Sequence, residues 1–280
     1  MRLRKGRGCK PTFHNRPVDV GVNMVLFRGD VKCKSLQRRT SISVILPADN
    51  LHFLQDSVEI VPKPYKTLYL LHGLYGSDDI FLANTSIQKF AEDHGIAIVI
   101  PCGENSFYVD NQKAHAYYGE YVGQELLDIT RNIFPLSDKR EDTFIAGFSM
   151  GGYGAIRNGL KYSQNFSKIG MISAALITDD IVDYVSDDNV LRSRDFYESI
   201  FGDLNQLKGS DMDPKHLIET ADDIPDIFMA CGNDDFLHDK NVDFYQFLKS
   251  KDIDVEFVEA PGEHTWEFSE KYIKEFIKKL

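Results

Sequence analysis

Residues 147–151 read Gly147-Phe148-Ser149-Met150-Gly151, behind the short apolar run Thr143-Phe144-Ile145-Ala146 and ahead of Gly152-Tyr153-Gly154-Ala155-Ile156. That pattern is a strand, a sharp turn and a helix opening, with a serine at the apex. The flanking glycines let the chain reverse tightly, because no Cβ crowds the bend. A serine there stands beside the first amides of the helix, which face any anion forming on an attacked carbonyl. Alone, the pentapeptide is equally well a plain strand–helix turn. A hydroxyl is also a weak nucleophile until a base takes its proton, so nucleophilic chemistry requires a histidine and an acid from elsewhere in the chain.

Two later stretches offer them. After the apolar run Asp226 to Cys231 come Gly232-Asn233-Asp234-Asp235-Phe236, and after Val255 to Glu259 come Ala260-Pro261-Gly262-Glu263-His264-Thr265-Trp266. An aspartate behind a strand can fix an imidazole tautomer and stabilise the imidazolium. Asp235, one residue further past the glycine, is taken as that acid. Asp234 is the alternative, and one of the pair is expected to cap the following helix. Of the eight histidines, only His264 stands in a Gly/Pro loop between a final strand and a final helix. His52, His94, His115, His216 and His238 lie in polar or helical contexts that read as solvated.

A fourth stretch, Leu71-His72-Gly73-Leu74-Tyr75-Gly76, follows another apolar run. Its glycines let the Leu74 amide turn inward as one oxyanion donor, with Met150 supplying the other. His72 precedes the serine and reads as a residue that orders this loop, not as the base. The order Ser149, Asp235, His264 is that of α/β-hydrolases and differs from those of the chymotrypsin and subtilisin types.

The elements that must position these groups follow from hydrophobic patterning. Met24 to Phe27 and Thr40 to Leu46 read as an antiparallel pair, with a turn near Gly29-Asp30. Lys66 to His72, Ile96 to Pro101, Thr143 to Ala146, Ile169 to Ala174, Asp226 to Cys231 and Val255 to Glu259 read as buried strands. Asn84 to His94, Tyr121 to Ile133, the stretch from the serine turn to about Tyr162, and Glu267 to Leu280 read as helices. Continuous apolar strands alternating with helices imply an α/β, doubly wound, mostly parallel sheet, whose ligands sit at the carboxyl ends of its strands. Residues 178–225 break the alternation. They are polar, Asp-rich and longer than an ordinary crossover, and they read equally as a lid-like insertion or a surface excursion.

Residues 1–21 carry charge, Gly and Pro without periodicity and read as a disordered extension, leaving 22–280 as a single domain with the 178–225 insertion. A net charge of −11 speaks against nucleic-acid or anionic-membrane partners. No apolar stretch has the length of a membrane span, and the basic Met1 to Lys10 lacks the apolar region of a secretory signal. The scattered Cys9, Cys33, Cys102 and Cys231 read as free thiols of a reducing cytoplasm. A nucleotide-binding reading of the glycines near 147–154 fails, because no Gly-Lys-Ser/Thr follows. No metal is implied: the chain has no His-Glu-x-x-His, and Asp179 to Asp188 lacks EF-hand spacing and reads as a solvated lid surface. No cofactor is implied, and homo-oligomerisation is left open.

With these residues placed, the chain resembles the esterase D-like α/β-hydrolases, and is most similar among them to bacterial tributyrin esterases and cinnamoyl (feruloyl) esterases. The resemblance rests on Thr40-Ser-Ile-Ser-Val-Ile-Leu-Pro-Ala-Asp49, Leu70-Leu-His-Gly-Leu-Tyr-Gly76, Gly147-Phe-Ser-Met-Gly-Gly-Tyr-Gly-Ala155, Ile200-Phe-Gly-Asp-Leu204, Ala230-Cys-Gly-Asn-Asp-Asp-Phe-Leu237 and Gly262-Glu-His-Thr-Trp-Glu-Phe268. It implies Ser149 as nucleophile, Leu74 as oxyanion donor, and Asp235 and His264 as partners, since the acid of the family stands just before a Phe-Leu pair. The family commonly has Asp where this chain has Thr265. The implied activity is a serine carboxylesterase acting on short-chain acyl esters, with feruloyl or acetyl esters of plant polysaccharide fragments among the candidates. The alternatives are an S-formylglutathione hydrolase using the same triad and, in another class, a non-catalytic hydrolase-fold binding protein. Aromatic residues near the expected mouth, Tyr75, Phe107, Tyr108 and Trp266, with Tyr117 and Tyr118, are candidates for stacking on a phenolic acyl group.

Overall fold

The apolar runs become strands because their alternate residues bury against two separate helical layers. In β3 (Thr67–Leu71), Tyr69 and Leu71 pack into one core and Leu68 and Leu70 into the other. Such two-sided burial is what a central sheet of an α/β protein demands. The computed structural model describes residues 23–49, 63–183 and 193–280. The extension expected at 1–21, and residues 184–192 of the insertion, lie outside the described residues.

β1 (Asn23–Cys33) and β2 (Arg38–Asp49) form the antiparallel edge. After β3 come the short helices α1 (Ile80–Asn84) and α2 (Ile87–Asp93), then β4 (Ala97–Pro101). A small hairpin, β5 (Asp110–Asn111) and β6 (Ala116–Tyr117), leads into α3 (Tyr118–Glu120), a π-helical turn (Tyr121–Glu125) and α4 (Leu126–Ile133). Then follow β7 (Thr143–Phe148), α5 (Met150–Lys161), β8 (Lys168–Ile172), α6 (Arg194–Phe201), α7 (Pro214–Thr220) and β9 (Asp226–Gly232). The chain closes with α8 (His238–Ser250), β10 (Val255–Ala260) and α9 (Trp266–Ile277).

The sheet order is β1-β2-β4-β3-β7-β8-β9-β10. β2 pairs antiparallel with β1 and β4, and every pairing from β4 to β10 is parallel. Winding runs from β3 outward to β4 on one side and from β7 outward to β10 on the other. The reversal falls between β3 and β7, so the loops leaving those two strands diverge and open a crevice where ligands bind. Those loops are His72-to-Gly76 and the serine turn. Among the described residues no helix is long and apolar enough to cross a membrane.

Three local expectations change. The β1–β2 turn falls at residues 34–37, not at Gly29-Asp30, which stay in the strand opposite Ile42 and Ser41. A tertiary anchor outweighs the Gly-Asp signal: Glu125 accepts hydrogen bonds from the Lys34 and Ser35 amides (2.6 and 2.7 Å) and from the Cys33 thiol (3.0 Å). The helix expected over 84–94 is broken at Thr85, whose backbone is extended. The 121–133 helix begins with the π turn that carries Glu125.

Candidate active site

The serine turn is set by backbone sterics. Ser149 sits at φ 59° and ψ −120°, a conformation that costs a non-glycine residue on the order of 1–3 kcal/mol and persists only when its surroundings over-determine it. They do so here. The Ser149 amide donates to Ile172 O (3.0 Å), and the Ser149 carbonyl accepts from Tyr153 N (3.2 Å) and Ala175 N (2.9 Å). A Cβ on Gly147 would lie 2.2 Å from Gly151 O, and one on Gly151 2.0 Å from Leu71 O. Only glycine allows the turn to press against the end of β3.

The loop after β3 meets the turn from the other side. A Cβ on Gly73 would lie 3.3 Å from Ser149 Cβ, so this loop borders the serine. His72 holds it. Its Nδ1–H donates to Gly73 O (2.7 Å), and its Nε2 accepts from Gly103 N (2.8 Å). Burial lowers its pKa, so the ring is a neutral strut with both nitrogens engaged and cannot serve as a base. Among the described residues, neither the Leu74 nor the Met150 amide has an acceptor.

Asp235 and His264 meet across the ends of β9 and β10. His264 Nδ1 donates to Asp235 Oδ2 at 2.8 Å, and the carboxylate is wholly buried. Burial pushes the Asp235 carboxyl up. The bonds from His264 and from the Leu237 amide (2.8 Å to Oδ1) outweigh that and hold its pKa below the ordinary value. A buried ionised acid fixes the imidazole with Nδ1 protonated and leaves Nε2 basic. Phe148 stacks on the imidazole with centroids 4.5 Å apart, and Phe236 packs against it at 4.7 Å. Asp234 is exposed, and α8 starts without a side-chain cap, so neither acid takes the capping role expected for one of the pair. Among the described residues no hydrogen bond joins Ser149 Oγ to His264 Nε2. Such contacts commonly tighten only when substrate is bound.

Ser149 and His264 open into one cleft of about 580 Å³, within the usual size of a small-molecule site. Tyr75, Phe107 and Trp266 line it, as the sequence leads one to expect of mouth aromatics, and so does Leu74. Tyr108 does not. Its ring is fully buried, fills space that Cβ atoms on Gly103 and Gly154 would invade (2.2 and 2.4 Å), and sends its hydroxyl to His72 O (3.0 Å). It braces the β3 loop from behind, and the paired glycines are the signal that could have shown this. Tyr117 and Tyr118 also lie outside the cleft lining.

Sequence reasoning missed four other residues of the lining, which form a wall of it: Ile177, Asp180, Ile181 and Tyr197. Three of these lie in the 178–225 insertion, which therefore shapes the cleft. Where it is described, the Asp-rich stretch carries half-exposed ion pairs, Asp179 with Lys215 and Asp180 with Lys240. The amphipathic run around Tyr197 was the available clue.

A mostly parallel sheet with a strained serine at the end of β7, and an acid–imidazole pair at the ends of β9 and β10, defines an α/β-hydrolase of the serine type. The chain belongs to the esterase family described as "Putative esterase", whose model matches residues 33–278. It is 43% identical over 257 residues to an acetyl esterase of Caldicellulosiruptor saccharolyticus, covering 89% of this chain and 96% of that relative. Among solved structures it is similar to FphF, a fluorophosphonate-binding serine hydrolase of Staphylococcus aureus, at 33% identity and a TM-score of 0.79, covering 91% of this chain and 98% of that one. It is also similar to the S. aureus S-formylglutathione hydrolase FrmB, at 33% identity and a TM-score of 0.78, covering 92% and 98%. The chain is a serine carboxylesterase by family.

Proposed function

We propose that the chain hydrolyses short-chain acyl esters of neutral alcohols with Ser149 as nucleophile, His264 as base and acid, and Asp235 as the group that orients His264. Ser149 Oγ bonds to the acyl carbon while His264 Nε2 takes its proton, and the Leu74 and Met150 amides hold the oxyanion. As the tetrahedral adduct collapses, the acyl carbon–oxygen bond to the alcohol breaks and His264 returns the proton to the leaving oxygen. Water then repeats the sequence on the acyl-enzyme and releases the acid. The observation that carries the reading is the strained Ser149 turn opening onto the same cleft as an imidazole whose Nδ1 is bonded to a buried carboxylate. Tyr75 and Trp266 would contact substrate at the mouth, and Phe107 on the wall that also holds Tyr197.

The charge of the cleft favours a neutral leaving group. Its described lining holds no Lys or Arg and one carboxylate, Asp180. Glutathione brings two carboxylates, which such a lining leaves unpaired. The similarity to an S-formylglutathione hydrolase keeps the thioester as the second reading. Rates on p-nitrophenyl acetate, butyrate and octanoate, methyl ferulate and S-formylglutathione separate the two. We expect kcat/KM to be highest on the acetate and butyrate, and methyl ferulate turnover would assign the Phe107–Tyr197 side to an aromatic acyl group. Dominant cleavage of S-formylglutathione would overturn the neutral-alcohol reading.

A further inference from the structure

One polar side chain outside the site described above bonds both the turn that carries Asp235 and the segment that holds the Ser149 carbonyl. Asn241 lies in the first turn of α8 and is wholly buried. Its Nδ2 donates to Leu237 O (2.8 Å) and to Ala174 O (3.0 Å), and its Oδ1 accepts from Ala174 N (3.2 Å). An amide has two donor hydrogens and one carbonyl oxygen, and all three of these partners are backbone groups. The reverse amide orientation would set donor against donor and acceptor against acceptor at every contact, so the geometry admits one orientation.

Each partner leads directly to a triad residue. Leu237 is the residue whose amide bonds Asp235 Oδ1. Ala174 is flanked by Ser173, whose amide bonds Ala230 O (2.7 Å), and by Ala175, whose amide bonds Ser149 O (2.9 Å). Ala174 also lies against the helix that follows the serine: a Cβ on Gly152 would come within 2.9 Å of Ala174 Cα. Residues 173–175 leave β8 through a positive-φ backbone at Ser173 (φ 45°), so they form no regular ladder there and depend on other groups for their bonds. Asn241 supplies those of Ala174, binding both its amide and its carbonyl. It therefore ties the acid turn after β9 to the segment leaving β8, whose next amide, Ala175, holds the Ser149 carbonyl.

We propose that Asn241 is a positioning residue that fixes the placement of Asp235, and through it His264, relative to Ser149. The proposal rests on the Ser149–His264–Asp235 reading. Asn241 touches no substrate; it acts through the Ala174 and Leu237 backbone. A buried amide is also costly to leave unpaired, so its loss destabilises the fold as well. Stability alone cannot separate positioning from packing, but a double-mutant cycle can, because residues that act as a unit are strongly non-additive.

The test measures kcat, KM and thermal midpoint on p-nitrophenyl acetate for Asn241→Leu, Asp235→Asn and the double variant. Asp235→Asn alone tests the underlying triad: activity unchanged in that variant overturns the triad reading whatever Asn241 does. With the triad intact, Asn241→Leu is expected to lower kcat by about ten- to hundredfold, as misplacement near 1 Å does, with KM nearly constant. In the Asp235→Asn background the same substitution should cost little further kcat. An equal fold-loss in both backgrounds, or a folded Asn241→Leu variant with wild-type kcat, overturns the positioning role. Should Asn241→Leu fail to fold, Asn241→Asp carries the same cycle. It keeps the side-chain shape and the acceptor for Ala174 N but loses both donated bonds, and additivity there overturns the proposal equally.

Discussion

The turns after β7 and β9 and the wall supplied by Ile177, Asp180, Ile181 and Tyr197 face the same cleft, yet different forces hold them. The turns are knit by backbone bonds: Ser149 to Ile172 and Ala175, Asp235 to Gly232 (3.1 Å), Asp234 to Gly262 (3.0 Å). The wall packs Ile181 and Tyr197 into the core and adds the ion pairs Asp179–Lys215, Asp180–Lys240 and Arg194–Glu198, whose side chains are 35–43% exposed. Half-exposed pairs contribute roughly 0.2–1 kcal/mol each and are screened by salt. A Cβ driven against a carbonyl at 2.0 Å has no comparable tolerance. The serine turn is thus built on backbone that cannot shift, whereas the ion pairs of the wall can be removed at low cost.

The largest expected effect follows from that contrast. Gly151→Ala drives its methyl into Leu71 O and C (2.0 and 2.5 Å). Forced overpacking costs about 1–3 kcal/mol or more, and displacement of the turn is expected to cost about a hundredfold in kcat/KM. Thermal melting and p-nitrophenyl acetate kinetics check both; a variant as stable and active as wild type would break the comparison at its rigid end. Tyr197→Ala on the wall should leave acetate turnover close to wild type. It should change the butyrate-to-octanoate ratio by about tenfold, the scale of a methylene or two in an apolar pocket. Loss of all activity instead would mean that the wall, too, positions the catalytic groups. Lys240→Ala, which frees Asp180, should be the mildest. KM is expected to move by less than about threefold, and the difference to vanish near 1 M salt. A larger, salt-independent effect would place Asp180 in direct contact with substrate.

How legible each part was follows the same division. The serine turn can be read from sequence because its requirement is local: two glycines and a serine in a strand–turn–helix pattern encode a backbone that no other residues permit. The mostly parallel sheet was readable as a class for a similar reason, since apolar runs buried on both faces leave few arrangements. Features decided by tertiary contact were not readable. The β1–β2 turn sits where Glu125 reaches it, at a register that the Gly29-Asp30 dipeptide does not announce. Tyr108 was counted with the mouth aromatics because a tyrosine near a site looks the same in sequence whether it faces substrate or, as here, fills the space beside Gly103 and Gly154. The insertion read equally as lid or excursion, because whether Ile181 and Tyr197 face the cleft depends on where Asp180 and Lys240 meet. Asn241 carried no signal: a polar residue on α8 looks solvated until the ends of β7, β8 and β9 converge on it.

Every proposed step passes through Ser149 as the nucleophile. Labelling with a fluorophosphonate probe, followed by mass spectrometry of the labelled peptide, tests this directly. One label per chain, carried on Ser149 and lost together with ester turnover in a Ser149→Ala variant of unchanged thermal midpoint, is the predicted result. A label on another residue, or ester turnover that survives Ser149→Ala, would contradict it.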